Sequence, residues 1–115
     1  MRGLPLDARS VASLDKLLHE PARLSVVACL AVVAEADFVF LQSQTGMTGG
    51  NLSSHVKKLE AAEYITVRKE FHQSRPRTTL TLSKVGRTRF ASYLTAMRGL
   101  LDAIDGHGSR RKPKS

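Results

Sequence analysis

Tryptophan is absent from this chain of 115 residues, and aromatic side chains make up only 5% of it. Any core must therefore be aliphatic. Cysteine is almost missing too: Cys29 stands alone, which excludes an intrachain disulfide and a thiolate metal cage. It lies in the apolar run Val26-Val27-Ala28-Cys29-Leu30, the setting of a buried small hydrophobe rather than an activated thiol. Long apolar runs are lacking. The longest, Val26 to Ala34, falls well short of the roughly 20 residues that cross a bilayer, and Met1 to Leu6 has no secretory apolar stretch. A cytoplasmic location is expected. Acidic residues are scarce, 10 against 18 lysines and arginines, for a net charge of +8.

That charge is unevenly placed. Residues 1–50 carry four positive and five negative groups, residues 51–89 nine and three, and residues 90–115 five and two. A positive field concentrated in the second half of the chain points to a polyanionic partner. The length fits one domain.

Residues 1–9, with Gly3 and Pro5, read as a flexible arm. A first helix is predicted from the cap Ser10 to about His19, with Val11, Leu14, Leu17 and Leu18 as its stripe. Pro21 opens a second helix to about Ala36, apolar almost all round and hence central. Asp37 caps a short third helix that buries Phe38 and Leu41 and closes at Gly46. Thr48 caps a fourth, over 48–62, where Leu52, Val56 and Leu59 form one buried stripe. The period then shifts toward 2: Tyr64 to Phe71 and Thr78 to Leu82 read as paired strands around the loop His72-Gln73-Ser74-Arg75-Pro76-Arg77. Ser83 caps a last helix over 84–104, and residues 105–115 form a basic, disordered tail. The domain is thus expected over 10–104.

The third and fourth helices, joined by a glycine turn, form a helix-turn-helix, and the basic hairpin behind them completes the outline of a winged helix. The fold class is α+β, mostly α, with a two-stranded β wing and a long C-terminal dimerisation helix. In that last helix Phe90, Leu94, Met97, Leu101 and Ile104 are spaced 4, 3, 4, 3, the seam of a short coiled coil, with Tyr93 and Leu100 widening it. A second copy of the chain is the expected partner.

Over residues 14–104 the chain resembles small winged-helix transcriptional regulators related to the MarR and ArsR families. The resemblance rests on Gly50-Asn51-Leu52-Ser53-Ser54-His55-Val56-Lys57-Lys58-Leu59-Glu60-Ala61-Ala62-Glu63-Tyr64 and on Pro76-Arg77-Thr78-Thr79-Leu80-Thr81-Leu82-Ser83-Lys84-Val85-Gly86-Arg87. It implies a homodimer with the fourth helix in the major groove and the wing, 71–78, on the backbone or minor groove. Two positions depart from the pattern. Glu63 stands where glycine is usual before the first wing strand, so the helix must end differently or accept strain. Ser83-Lys84-Val85-Gly86 lacks the usual acid before its glycine.

Candidate contacts to double-stranded DNA follow. Thr48, Gly49, Gly50, Asn51, Ser53 and Ser54 begin the fourth helix, where small residues admit close approach and Asn or Ser can bond base edges. Lys57 and Lys58 suit phosphates. Arg75 and Arg77 flank Pro76, which stiffens the loop for the minor groove, with Thr78 beside them. Arg68 and Lys69 alternate, so one at most shares that side. Enzymatic chemistry finds no footing. Ser53-Ser54-His55 are adjacent on a helix and point apart, and the four histidines show no ligand spacing. Neither cofactor nor metal is expected, and the residues name no small-molecule effector. A winged-helix module binding protein is the alternative, but it would expose Leu, Phe or Met on the fourth helix, where Asn, Ser and Lys stand.

Overall fold

Pro21 suits the first turn of a helix because its φ is already helical and its missing N–H would have had no partner there. In the computed structural model, which describes residues 13–111 and side chains to residue 106, helix α1 spans Pro21–Val33. The Glu20 carboxylate caps it, accepting the Arg23 amide at 2.8 Å. That hydrogen bond, ahead of the charge of Arg23, holds the carboxyl below its ordinary pKa. Val26, Val27 and Leu30 are fully buried.

Two expectations about this region fail. Residues 13–20 form turns, not a helix. The Asp15 carboxylate accepts the amides of Leu17 and Leu18 at 2.9 and 3.2 Å, and such short-range bonds compete with helix formation. Leu14 and Leu18 reach the core nonetheless; the expected cap Ser10, Val11 and the arm lie outside the described residues. Helix α1 also stops at Val33 instead of Ala36, and it is buried on one side only, since Val32 is 84% exposed. Ala34 turns the chain at φ 70° into an unexpected short strand β1, Glu35–Asp37.

Asp37 then caps α2, Phe38–Thr45, accepting the Phe40 amide at 2.7 Å. Gly46 ends it in the left-handed conformation at φ 74°, which costs glycine nothing. Helix α3, Gly49–Ala61, buries Leu52, Val56 and Leu59. It closes with the Tyr64 amide donating to Leu59 O and the Glu63 amide to Glu60 O, both at 2.9 Å. This is the Schellman pattern with glutamate at the left-handed position, φ 65°, a strain of about 1–2 kcal/mol for a residue with a Cβ.

Strands β2, Ile65–His72, and β3, Arg75–Leu82, pair antiparallel from Ile65↔Leu82 to His72↔Arg75. Strand β1 adds to the far edge of β3, Ala36 opposite Leu80, giving the order β1-β3-β2. The six-residue loop expected at the tip is only a turn through Gln73 and Ser74, both at positive φ (53° and 65°). Two positive φ values match the right-handed strand twist. Arg75, Pro76 and Arg77 therefore belong to β3. Pro76 is tolerated because β1 reaches only Thr79 to Thr81 and the Phe71↔Pro76 pair next to the closing pair exchanges no hydrogen bonds.

Ser83 joins the hairpin to the last helix, α4, Lys84–Arg111. Its hydroxyl accepts the Gly86 amide at 2.9 Å and lies 2.6 Å from Glu63 O and 2.9 Å from Tyr64 O. Gly86 is there because a Cβ would fall 2.0 Å from Tyr64 O. Helix α4 continues to residue 111 through residues expected to be a tail, the rest of which lie outside the described residues, and at about 1.5 Å per residue its 28 residues span about 42 Å.

Candidate nucleic-acid interface

Helix α3 presents two different sides. Its stripe of Leu52, Val56 and Leu59 is sealed in the core, while Thr48, Gly50, Asn51, Ser54, Lys57 and Lys58 are exposed and Gly49 and Ser53 half-buried. Thr48 caps the helix, its hydroxyl accepting the Asn51 amide at 3.2 Å; the Asn51 side chain stays on the outside. Neither glycine is required by packing: a Cβ at Gly50 would meet nothing within 4 Å, and one at Gly49 would make ordinary contact with the Gln42 side chain, Nε2 at 3.5 Å and Cδ at 3.9 Å. Neither has a positive φ. Glycine weakens a helix interior by about 1 kcal/mol relative to alanine, and the surrounding space would admit a Cβ at both positions.

A cluster that the sequence reading missed braces this helix from behind. Arg23 on α1 donates Nε to Leu17 O at 2.7 Å and lies with Nη1 3.2 Å from His55 Nδ1 on α3. Arginine can only donate, so Nδ1 accepts. Glu20 is 4.0 Å from the same nitrogen. His55 thus ties α3 to α1 and to the segment before it. Nothing but the i, i+3 spacing of Glu20 and Arg23 hinted at this in the sequence.

The hairpin separates its side chains by face. One face carries Ile65, Val67, Leu80 and Leu82 at its base, against the core, and Lys69, Thr78, Phe71 and Pro76 toward its tip. The other carries Arg68, Glu70, Arg77, His72 and Arg75, alongside Glu35 and Asp37 from β1. On this second face the charges pair. Arg68 lies 3.1 Å from Glu35 and 3.4 Å from Glu70, and Arg77 lies 3.6 Å from Asp37. The hydrogen bond to Glu35, then Glu70, raises the Arg68 pKa. Arg75 and Arg77, grouped as one basic tip by the sequence, are thus unlike: Arg75 stands exposed beside the turn, and Arg77 is half-buried on the cap of α2. Lys69, set against Arg68 as an either-or, is the one that lies on the face free of carboxylates.

Residues 22–101 match the family model described as winged helix DNA-binding domain. The chain belongs to that family. Among solved structures, a transcriptional regulator homologue from Pyrococcus horikoshii is 27% identical with a TM-score of 0.77, covering 84% of this chain and 94% of that one. A MarR-family regulator from Silicibacter pomeroyi, 19% identical with a TM-score of 0.56 over 91% of this chain and 70% of its own, shares the fold. An uncharacterized protein of Methanocaldococcus jannaschii is 28% identical over 79 residues, 69% of this chain and 86% of that protein.

Within this winged-helix chain α4 divides its apolar residues. Tyr93 is buried on its own domain with its hydroxyl 2.8 Å from His19 Nδ1, so it is not part of a wider outer seam as expected. Phe90, Leu94, Met97 and Leu100 are half-buried against the core, whereas Leu101 is 52% and Ile104 48% exposed. Below them Tyr64 donates to Asp15 Oδ2 at 2.5 Å; burial first, and Asp15 second, push its hydroxyl pKa up to about 12. Among the described residues no cluster of three His, Cys, Asp or Glu forms a metal site, and no helix is long and apolar enough to cross a membrane. Family and fold are those of a winged helix DNA-binding domain.

Proposed function

We propose that this chain is a sequence-specific double-stranded DNA-binding regulator, acting as a homodimer and repressing by occupying its site. The carrying observation is the outer side of α3: glycines without a structural reason, then Asn51, Ser54, Lys57 and Lys58, all clear of the buried stripe. In this reading α3 enters the major groove. Asn51 and Ser54 bond base edges, and the lysines bond flanking phosphates. The wing lies along the backbone and minor groove. Leu101 and Ile104, projecting from α4, pair with the same residues of a second copy, so that two recognition helices meet grooves about one helical turn apart. A bound dimer of this length would exclude other proteins from the same stretch of duplex.

The test is fluorescence anisotropy of a labelled mixed-sequence duplex across a salt series, with sedimentation of the free protein. A log–log salt slope of several units is expected, at about 0.9 per phosphate contact. Absence of binding at low salt would overturn the reading and favour a protein-binding module. Leu101→Asp with Ile104→Asp should yield a folded monomer; a persistent dimer would move the interface elsewhere.

A further inference from the structure

The chain has six aromatic residues, four Phe and two Tyr. Tyr64 and Tyr93 are buried, Phe38 and Phe90 are half-buried against the core, and Phe40 is 38% exposed. Phe71 differs: it is 77% exposed, one pair back from the hairpin turn, with exposed Pro76 opposite. In a non-hydrogen-bonded antiparallel pair the side chains stand close together, so Phe71 and Pro76 form one apolar tip. Next on the same face come Lys69 and Thr78, and below them Val67, Ile65, Leu80 and Leu82, which join the core that also holds α3. The apolar tip therefore lies on the face of the hairpin that packs on the helical core, α3 included. All three carboxylates of the sheet, Glu35, Asp37 and Glu70, sit on the opposite face.

We propose that the Phe71–Pro76 tip is a wedge that enters the minor groove, parts a base step and bends the duplex, with Lys69 and Arg75 on the flanking phosphates. This inference rests on the DNA-binding reading. The occupant follows from charge: an aromatic ring next to Lys69 on the sheet face without acids, with Arg75 beside the turn on the other face, complements a polyanion that offers an apolar base stack. Phe and Pro side chains inserted at base steps kink DNA toward the major groove, the groove that α3 occupies in the DNA-binding reading. The two-residue turn and the ring of Pro76 hold the tip stiff, as insertion requires. Pyrimidine–purine steps unstack most easily, so the wing would favour such a step without hydrogen-bonding to a base.

The test uses the full chain and a mixed-sequence duplex of about three helical turns, long enough for both grooves of a dimer site, carrying donor and acceptor dyes at its ends. Anisotropy gives affinity and energy transfer gives bending. The wild type is expected to raise end-to-end transfer on binding. Phe71→Ala should lose that rise and bind about tenfold more weakly, with an unchanged salt slope because no phosphate contact is removed. Phe71→Leu should keep most of both. A wild-type complex with straight DNA, or a Phe71→Ala complex equal in affinity and bend, would overturn the wedge while leaving DNA binding intact. No wild-type binding would overturn both readings. Conversion of dimer to monomer by Phe71→Ala in sedimentation would make the tip a contact between copies and would also overturn the wedge.

Discussion

Lys57 and Lys58 on α3 stand exposed with no ion pair among the described residues, whereas Arg68 and Arg77 on the hairpin each lie beside carboxylates. The two regions are both basic and hold their charge differently. A free ammonium can neutralise a phosphate and release a counterion at once. A guanidinium already paired must give up its partner first, so its net contribution to binding is smaller. The pairs on the wing instead fix the hairpin against β1 and the cap of α2. On this view α3 supplies affinity and readout, and the wing supplies a rigid, aimed edge.

The largest expected effect separates the two regions by their glycines. Gly86→Ala forces a Cβ onto Tyr64 O at the root of the wing and should destabilise the fold by about 3 kcal/mol, read as a lower urea midpoint. Gly50→Ala, with open space around it, should do the reverse to the fold, stabilising it by about 0.5–1 kcal/mol, while weakening binding to a selected site roughly tenfold, as the loss of one good base contact does. A Gly50→Ala protein that binds as tightly as wild type would remove the close approach of α3 from the account.

Salt dependence sharpens the contrast. Lys57→Ala with Lys58→Ala should lower the log–log slope by about 1.8, two phosphates at about 0.9 each. Arg77→Ala should change it by less than about 0.5, since that side chain is engaged by Asp37. Equal effects would erase the distinction. Glu63→Gly relieves the positive φ and should stabilise the protein by about 1 kcal/mol, several degrees in Tm, with DNA binding unchanged. The smallest effect expected is from Glu70→Gln, which loosens Arg68 and removes a negative charge; affinity should rise two- to threefold, about 0.5 kcal/mol, and fall back with added salt.

What was legible in the sequence was local. Pro21, Asp37, Gly46 and Thr48 mark helix ends through bonds to residues within four positions, and Leu52, Val56 and Leu59 declare a buried stripe by period alone; all are found as read. The outer side of α3 followed from the same periodicity. The glutamate in a glycine position at residue 63 posed two outcomes, and the strained one holds. What was not legible depends on partners distant in sequence. Strand β1 has three residues and exists only because β3 lies beside it. The turn at Gln73-Ser74 carries neither glycine nor asparagine, so the strands' own pairing imposes its positive φ values. Asp15 redirects a segment whose leucines suggest a helix. The carboxylates that occupy Arg68 and Arg77 come partly from Glu35 and Asp37, more than 30 residues away, so the wing's four basic residues looked alike when two of them are paired.

The central claim, that the outer side of α3 reads sequence, is tested most directly by selecting duplexes from a random pool and comparing affinity for the recovered site with that for mixed-sequence DNA at one salt concentration. The account expects a recovered site with two related halves, bound at least about 10³-fold more tightly than mixed sequence, and a preference that shifts when Asn51 is replaced by Ala. A recovered pool without a shared sequence, bound no better than random duplex, would contradict it.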